Sequence, residues 1–240
     1  MGAQWKQAGR VANATKRGAL FGKLVKEIQI SAKLGDPHPE NNPRLWAAVE
    51  AAKKQSVPRD TIERAVKKGA GLLDEKVNYE LVTYEGFAPG KVPVIVECLT
   101  DNRNRTAPEI RQLFKLGQLG APGSVAFMFD RWGVVEANHA DKSQDIEAAA
   151  IEAGAQEVQP LTGGDVPEAH VGARFLCSPT DLDSVAKFLA KAKWSVTTSE
   201  MSYIAKNYVE LGEAQKKEVA DFLNAIDEHD DVHRIYAAIQ

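Results

Sequence analysis

Apolar residues recur at helical spacing through the first third of the chain and at every second position in much of the rest. The sequence therefore predicts a helical head followed by a body of mixed strands and helices. Over residues 16–34, Phe21, Leu24, Val25, Ile28 and Ala32 share one face, with Lys16, Lys23, Lys26 and Lys33 opposite. Gly35 and Asp36-Pro37 end that helix. Asn42-Pro43 supplies an N-cap and a first-turn proline for a second helix, which buries Trp46 and Val49 and runs to about Gln55. After Val57-Pro58 a third helix follows. Asp60 and Glu63 stand in capping-box spacing, Ile62 and Val66 point inward, and Gly69 is its stop.

The period then shortens to two. Residues 79–84 and 93–99 read as strands joined by a turn over residues 86–90, with Pro93 at a strand start or an edge. A helix over residues 107–115, a glycine-rich loop over 117–123 and a strand over 124–129 come next. From Val134 the order is strand (134–137), helix (145–153), strands (157–160 and 174–177), helix (181–191) and strand (195–200). That is the ferredoxin-like split unit. A strand around Tyr208, a helix over 213–226 and a strand over 232–236 supply what the block after residue 79 lacks. The predicted fold is α+β, with a three-helix domain and two ferredoxin-like-type α/β sandwiches, the third domain inserted into the second. Its domains are residues 1–78, residues 79–133 plus 203–240, and residues 134–202.

Composition adds one decisive fact. The chain is 44% apolar and 26% charged, as globular proteins are, and its net charge is only −3. Yet residues 1–78 carry 15 Lys+Arg against 8 Asp+Glu, whereas the remaining 162 carry 15 against 25. An acidic body is repelled by a polyanion, so nucleic-acid contact would fall to the head and would be salt-sensitive. Cys98 and Cys177, far apart, read as core thiols in a reducing compartment. With no apolar stretch near the length of a membrane span and no signal core, the expectation is a cytoplasmic protein without membrane contact.

Candidate chemistry is sparse. The densest polar block is Thr100-Asp101-Asn102-Arg103-Asn104-Arg105-Thr106, between a strand end and a helix start, where Asn104 or Thr106 serves as cap. Two arginines exceed what capping needs and suit phosphate or carboxylate recognition. The loop over 117–123 lacks the Gly-Lys-Ser/Thr ending of a P-loop and precedes a strand, so its glycines serve a tight chain path. His229 and His233, among Asp227, Glu228, Asp230 and Asp231, offer a divalent-ion site for a nuclease, though a solvated acidic turn explains them as well. The second and third helices could imitate a helix-turn-helix, with Arg59, Arg64, Lys67 and Lys68 facing phosphates. The four tryptophans do not interleave with basic runs as a stacking platform would. No nucleophile, base and orienting group converge.

Several longer motifs, taken together, resemble the YebC/PmpR family. They are Lys16-Arg17-Gly18, Phe-Gly-Lys-Leu-Val-Lys-Glu at 21–27, Asn42-Pro43-Arg44-Leu45, Ile62-Glu63-Arg64-Ala65, Tyr84-Glu85-Gly86-Phe87, Glu-Cys-Leu-Thr-Asp-Asn-Arg-Asn-Arg-Thr at 97–106 and Gly-Ser-Val-Ala-Phe-Met-Phe at 123–129. The family includes the mitochondrial translational activator of cytochrome c oxidase subunit I. The resemblance implies a helical head and two α/β domains, one inserted into the other. It also implies a DNA-binding transcriptional regulator, or a factor that relieves ribosomes stalled on proline-rich nascent chains, and no catalysis. Two features depart from the family pattern: the residues around Trp5 carry less charge than the usual basic arm, and the 117–120 loop is two residues shorter.

Pattern and resemblance converge on a non-enzymatic regulator that binds DNA or, alternatively, ribosomal RNA, as a monomer without metal or cofactor. The candidate contact residues are Lys16, Arg17, Lys23, Lys26, Lys33, Arg64, Lys67 and Lys68 in the head, with Arg103 and Arg105 in the body.

Overall fold

The computed structural model describes the backbone of residues 4–74, 78–162 and 166–239, and side chains from residue 18 onward. The fold is α+β, with helices first and then two four-stranded sheets. Packing divides the chain into two compact units. One comprises residues 1–26, 77–130 and 205–240, and the other residues 27–76 and 131–204.

The first helix, α1 (Gln4–Leu34), begins well before the predicted start at residue 16. Residues 28–32, Gln29 and Ser31 included, are buried on every side, and a periodicity argument starting at Phe21 has no purchase on the polar turns before it. In α2 (Pro43–Lys54), the Asn42 side chain accepts from the Leu45 N–H as cap and donates to the carbonyls of Ser31 and Asp36, so one buried amide ties α2 to the end of α1. Trp46, expected in the core, is instead 43% exposed, while Leu45, Ala48, Val49 and Ala52 carry the packing. Alanines this small let the helices approach without an indole between them.

In α3 (Arg59–Gly69) the expected capping box does not form: Pro58 occupies the N-cap position, and Glu63 pairs with Arg59 at 2.8 Å. Ile62 and Ala65 face inward and Val66 is half-buried. Gly69 does more than end the helix, since a Cβ there would collide with the carbonyl oxygen of Gln29 on α1.

The first sheet contains β1 (Glu80–Ala88), β2 (Val92–Thr100), β3 (Gln118–Leu119) and β8 (Val232–Ala237), in the order β3-β1-β2-β8, every pair antiparallel. Neighbour order matches a ferredoxin-like sheet whose third strand stands first in the chain. The expected turn over 86–90 is confined to Pro89–Lys91, and β1 and β2 reach further toward each other than predicted. Pro93 is the second residue of β2. Every position of β2 is buried, with α4 (Arg103–Leu113) and α7 (Glu213–Asp227) packing on Val92, Val94, Val96 and Cys98. Phe114 and Phe222 close that layer edge to face.

The strand expected over 124–129 does not form: residues 124–128 lie in no strand and only Phe129 does. A 3-10 turn at Ala126–Met128 leads into β4 (Phe129–His139), because the buried carboxylate of Glu85 accepts from the N–H groups of Gly123 (2.7 Å), Val125 (2.9 Å) and Ala126 (2.8 Å) and so curls the backbone.

The second sheet orders β5 (Glu157–Leu161), β6 (Val171–Cys177), β4 and β7 (Ser195–Ala205) as β5-β6-β4-β7, the ferredoxin-like arrangement predicted for the inserted segment. Helices α5 (Ile146–Ala153) and α6 (Leu182–Lys191) cover it around Phe175 and Trp194, which meet edge to face. Tyr208 lies in no strand; β7 ends at Ala205 and an irregular segment leads to α7.

Candidate nucleic-acid interface

The structure sorts the sequence-predicted cations into three groups. Lys16 and Arg17 lie outside the residues with described side chains. Lys23, Lys26 and Arg105 converge on the turn between α7 and β8. Lys33, Arg64, Lys67 and Lys68 lie in the other compact unit with α2 and α3.

The convergence is built around Asp231, whose side chain is only 5% exposed. One carboxylate oxygen accepts from Lys26 Nζ at 3.0 Å. The other accepts from Arg105 Nη2 at 2.8 Å, Thr106 Oγ1 at 2.8 Å and Thr100 Oγ1 at 3.3 Å. Burial alone would raise the carboxyl's pKa. The bonds from Arg105, Lys26 and Thr106 outweigh it and hold the group well below the usual carboxylate range. Lys26 also donates to the Asp230 carbonyl at 2.9 Å and lies 5.3 Å from the centre of the Tyr79 ring. One helical turn earlier, Lys23 bonds both the carbonyl and the carboxylate of Asp227. The acidic turn, expected to be solvated, is thus the counter-ion of α1.

The polar block at 100–106 performs much of this work. Asn102 caps α4, so the helix starts four residues earlier than predicted, and Arg103 and Arg105 occupy its first turn instead of a loop. Thr100 and Thr106, both fully buried, stand 2.7 Å apart at their hydroxyl oxygens, so their two protons are shared between this contact and the Asp231 carboxylate. Arg103 remains 63% exposed, with Glu80 at 3.7 Å.

His229 and His233 do not share a helical face: the first lies in the turn and the second in β8. The Nδ1 of His229 accepts from the Asp231 N–H, which leaves Nε2–H to donate to Glu109 at 2.9 Å. Glu109, His229 and Asp231 can each bring one ligand atom within 4.8 Å of the others. A cation there would have to displace the hydrogen bonds that now occupy both imidazole nitrogens and the Asp231 carboxylate.

Cys98 and Cys177 are buried, and burial, chiefly, pushes their thiols up to about 12 and about 11. Sequence reasoning missed two groups. Asp231 looked like one more acid in a charged run, and Glu85 was only part of a motif; neither residue's local pattern shows the partners that lie far away in sequence.

Helices followed by two antiparallel sheets, with a motif-rich polar block locking the first helix to an acidic turn, define an α+β protein of the ferredoxin-like sandwich class. The chain belongs to the TACO1/YebC family: residues 2–72 match the model of the TACO1/YebC protein N-terminal domain, and residues 79–239 that of the TACO1/YebC second and third domain. A relative in Pseudomonas syringae pv. tomato, named a probable transcriptional regulatory protein, is 51% identical over 240 residues, covering 100% of this chain and 99% of its own. One in Bdellovibrio bacteriovorus with the same kind of name is 48% identical and fully covered on both sides. The crystal structure of a conserved hypothetical protein from Aquifex aeolicus superposes with a TM-score of 0.74 at 40% identity, covering 94% of this chain and 90% of that one. Among the described residues, no helix is long and apolar enough to cross a membrane.

Proposed function

We propose that the protein is a non-enzymatic, nucleic-acid-binding regulator of gene expression acting in the cytoplasm, with residues 1–78 as its contact domain and duplex DNA as its first target. The supporting observation is the exposed basic surface of α2 and α3, where Lys53, Lys54, Arg59, Arg64 and Lys67 all reach solvent. Lys53 and Arg59 pair with Glu50 and Glu63, but exposed pairs of this kind are weak and exchange readily for phosphate. Lys33 and Lys68 extend the same basic set, while the acidic residues predominate after residue 78. The regulator names of the relatives agree with this reading.

Lys23, Lys26 and Arg105 are a poor choice for the first test, because removing them also removes the partners of Asp227 and Asp231. The cleaner variant is Arg64→Ala, Lys67→Ala and Lys68→Ala together. Each lost phosphate contact should lower the slope of log affinity against log salt by about 0.9. The triple variant is expected to bind duplex DNA more weakly, whatever its sequence, and with a flatter slope. Unchanged affinity and slope would defeat the proposal.

One observation favours the ribosomal alternative: Arg103 is an exposed cation on the body, outside the basic head. Folded RNA is recognised by shape over several surfaces, whereas a duplex contact through the head has no use for Arg103. If Arg103→Ala reduces co-sedimentation with ribosomes in a sucrose gradient yet spares duplex binding, the ribosomal reading gains.

A further inference from the structure

Trp46 of α2 lines a groove of about 410 Å³ together with Pro43, Lys187, Ala190, Lys191 and Trp194. Trp194 is nearly fully buried and belongs to the core beneath, whereas Trp46 leaves nearly half its surface in water and contributes little to that core. A half-exposed indole is costly to keep in water and rigid on its helix, which are the properties of a stacking surface. The cations sit to one side. Lys187 and Lys191 are one turn apart on α6 and line the groove, and Lys193 follows in the exposed turn beyond. Lys187 is held by Asp183 at 2.7 Å in an exposed pair of small worth, and Glu40 is an acid on the groove wall.

We infer that this groove binds one unstacked base of single-stranded nucleic acid, with the base on the Trp46 indole and its flanking phosphate on Lys187 and Lys191. A flat aromatic face beside cations accommodates any base, because every base has a π-face and every linkage a charge. The groove is too small for a duplex, whose bases are in any case already stacked. Trp46 stands on α2, the helix that ends in Lys53 and Lys54, so a strand held here continues onto the basic surface proposed above as the contact surface. The inference rests on that reading and adds to it, since it places a second site, for an unpaired strand, beside the surface proposed for the duplex.

The test is fluorescence anisotropy on the full chain at fixed low salt, with a labelled single-stranded DNA of eight nucleotides and, separately, a longer DNA duplex. Trp46→Ala is expected to weaken single-strand binding by about tenfold or more while leaving duplex binding unchanged. Trp46→Phe should retain most of the affinity, and circular dichroism should show both variants folded. Single-strand binding by Trp46→Ala equal to wild type would overturn the inference, as would an equal loss for both probes. Quenching of tryptophan fluorescence by a polyglutamate peptide but not by the single strand, present in the wild type and absent from Trp46→Phe, would overturn it too, assigning the groove to an acidic protein partner. If duplex binding persists in any of these cases, only the groove assignment falls. Should the wild-type chain bind neither probe, the nucleic-acid reading falls with it.

Discussion

At Asp231 a single carboxylate accepts two cationic and two hydroxyl donors while almost completely buried. Removing it leaves Lys26 without its anion and takes a shared acceptor from the buried hydroxyls of Thr100 and Thr106, which keep each other and the Asn102 carbonyl, so Asp231→Ala should cost about 3 kcal/mol, measurable as a shift in urea midpoint. Arg105→Ala should cost less, because Lys26 still faces the carboxylate and Arg105 is half in water. A midpoint for Asp231→Ala equal to wild type would show the network to be dispensable. The pH dependence has a definite sign. Asp231 and Glu85 both have folded-state pKa values below their ordinary ones, in each case because hydrogen bonds outweigh burial. As pH falls, the unfolded chain takes up these protons first. Their stabilisation is therefore fully present above about pH 4 and is lost progressively below it, as pH approaches the folded-state values. Acid titration followed by circular dichroism should show that decline, and it should be shallower in Asp231→Asn.

The irregular segment after the glycine-rich loop shows at the scale of elements how one side chain can replace a strand. Residues 124–129 have a strand-like composition, yet Glu85 accepts from the N–H groups of Gly123, Val125 and Ala126 and holds a tight turn. Glu85→Ala should leave those donors unsatisfied at a cost of about 3 kcal/mol and raise amide exchange at Val125 and Ala126 above that of the β2 core. Exchange unchanged at those amides would show that the turn is held by packing alone. The same principle moved the start of α4. Asn102, not Asn104 or Thr106, meets the free N–H groups, and the two arginines are consequently helical. Propensity names several residues able to cap and leaves the choice to the chain's path out of β2. Gly69 is comparable: its type marks a helix end, but its necessity comes from the Gln29 backbone pressed against it.

Charge is organised on the scale of the chain. Part of the basic excess of the head is consumed internally, since Lys23 and Lys26 neutralise the turn at residues 227–231, whereas Lys53, Lys54, Arg59, Arg64 and Lys67 of α2 and α3 reach solvent. Measured salt slopes should accordingly depend on Arg64, Lys67 and Lys68. Lys23→Ala with Lys26→Ala should register mainly in thermal stability; a large fall in slope at unchanged stability would reverse that assignment. The sequence by itself determined the α+β class, the order of most of the elements, the two-sheet plan with its ferredoxin-like insertion, the asymmetry of charge and the family. Those follow from periodicity, turn residues and local motifs, all of which act over a few neighbouring positions. The tertiary structure alone decided that Trp46 stays half in water, that one acid of an acidic run, Asp231, becomes a buried counter-ion and that an apparent strand is a turn. Each depends on a partner tens to hundreds of residues away, and the cost or gain of burying a charge or an indole is set by what the fold brings beside it.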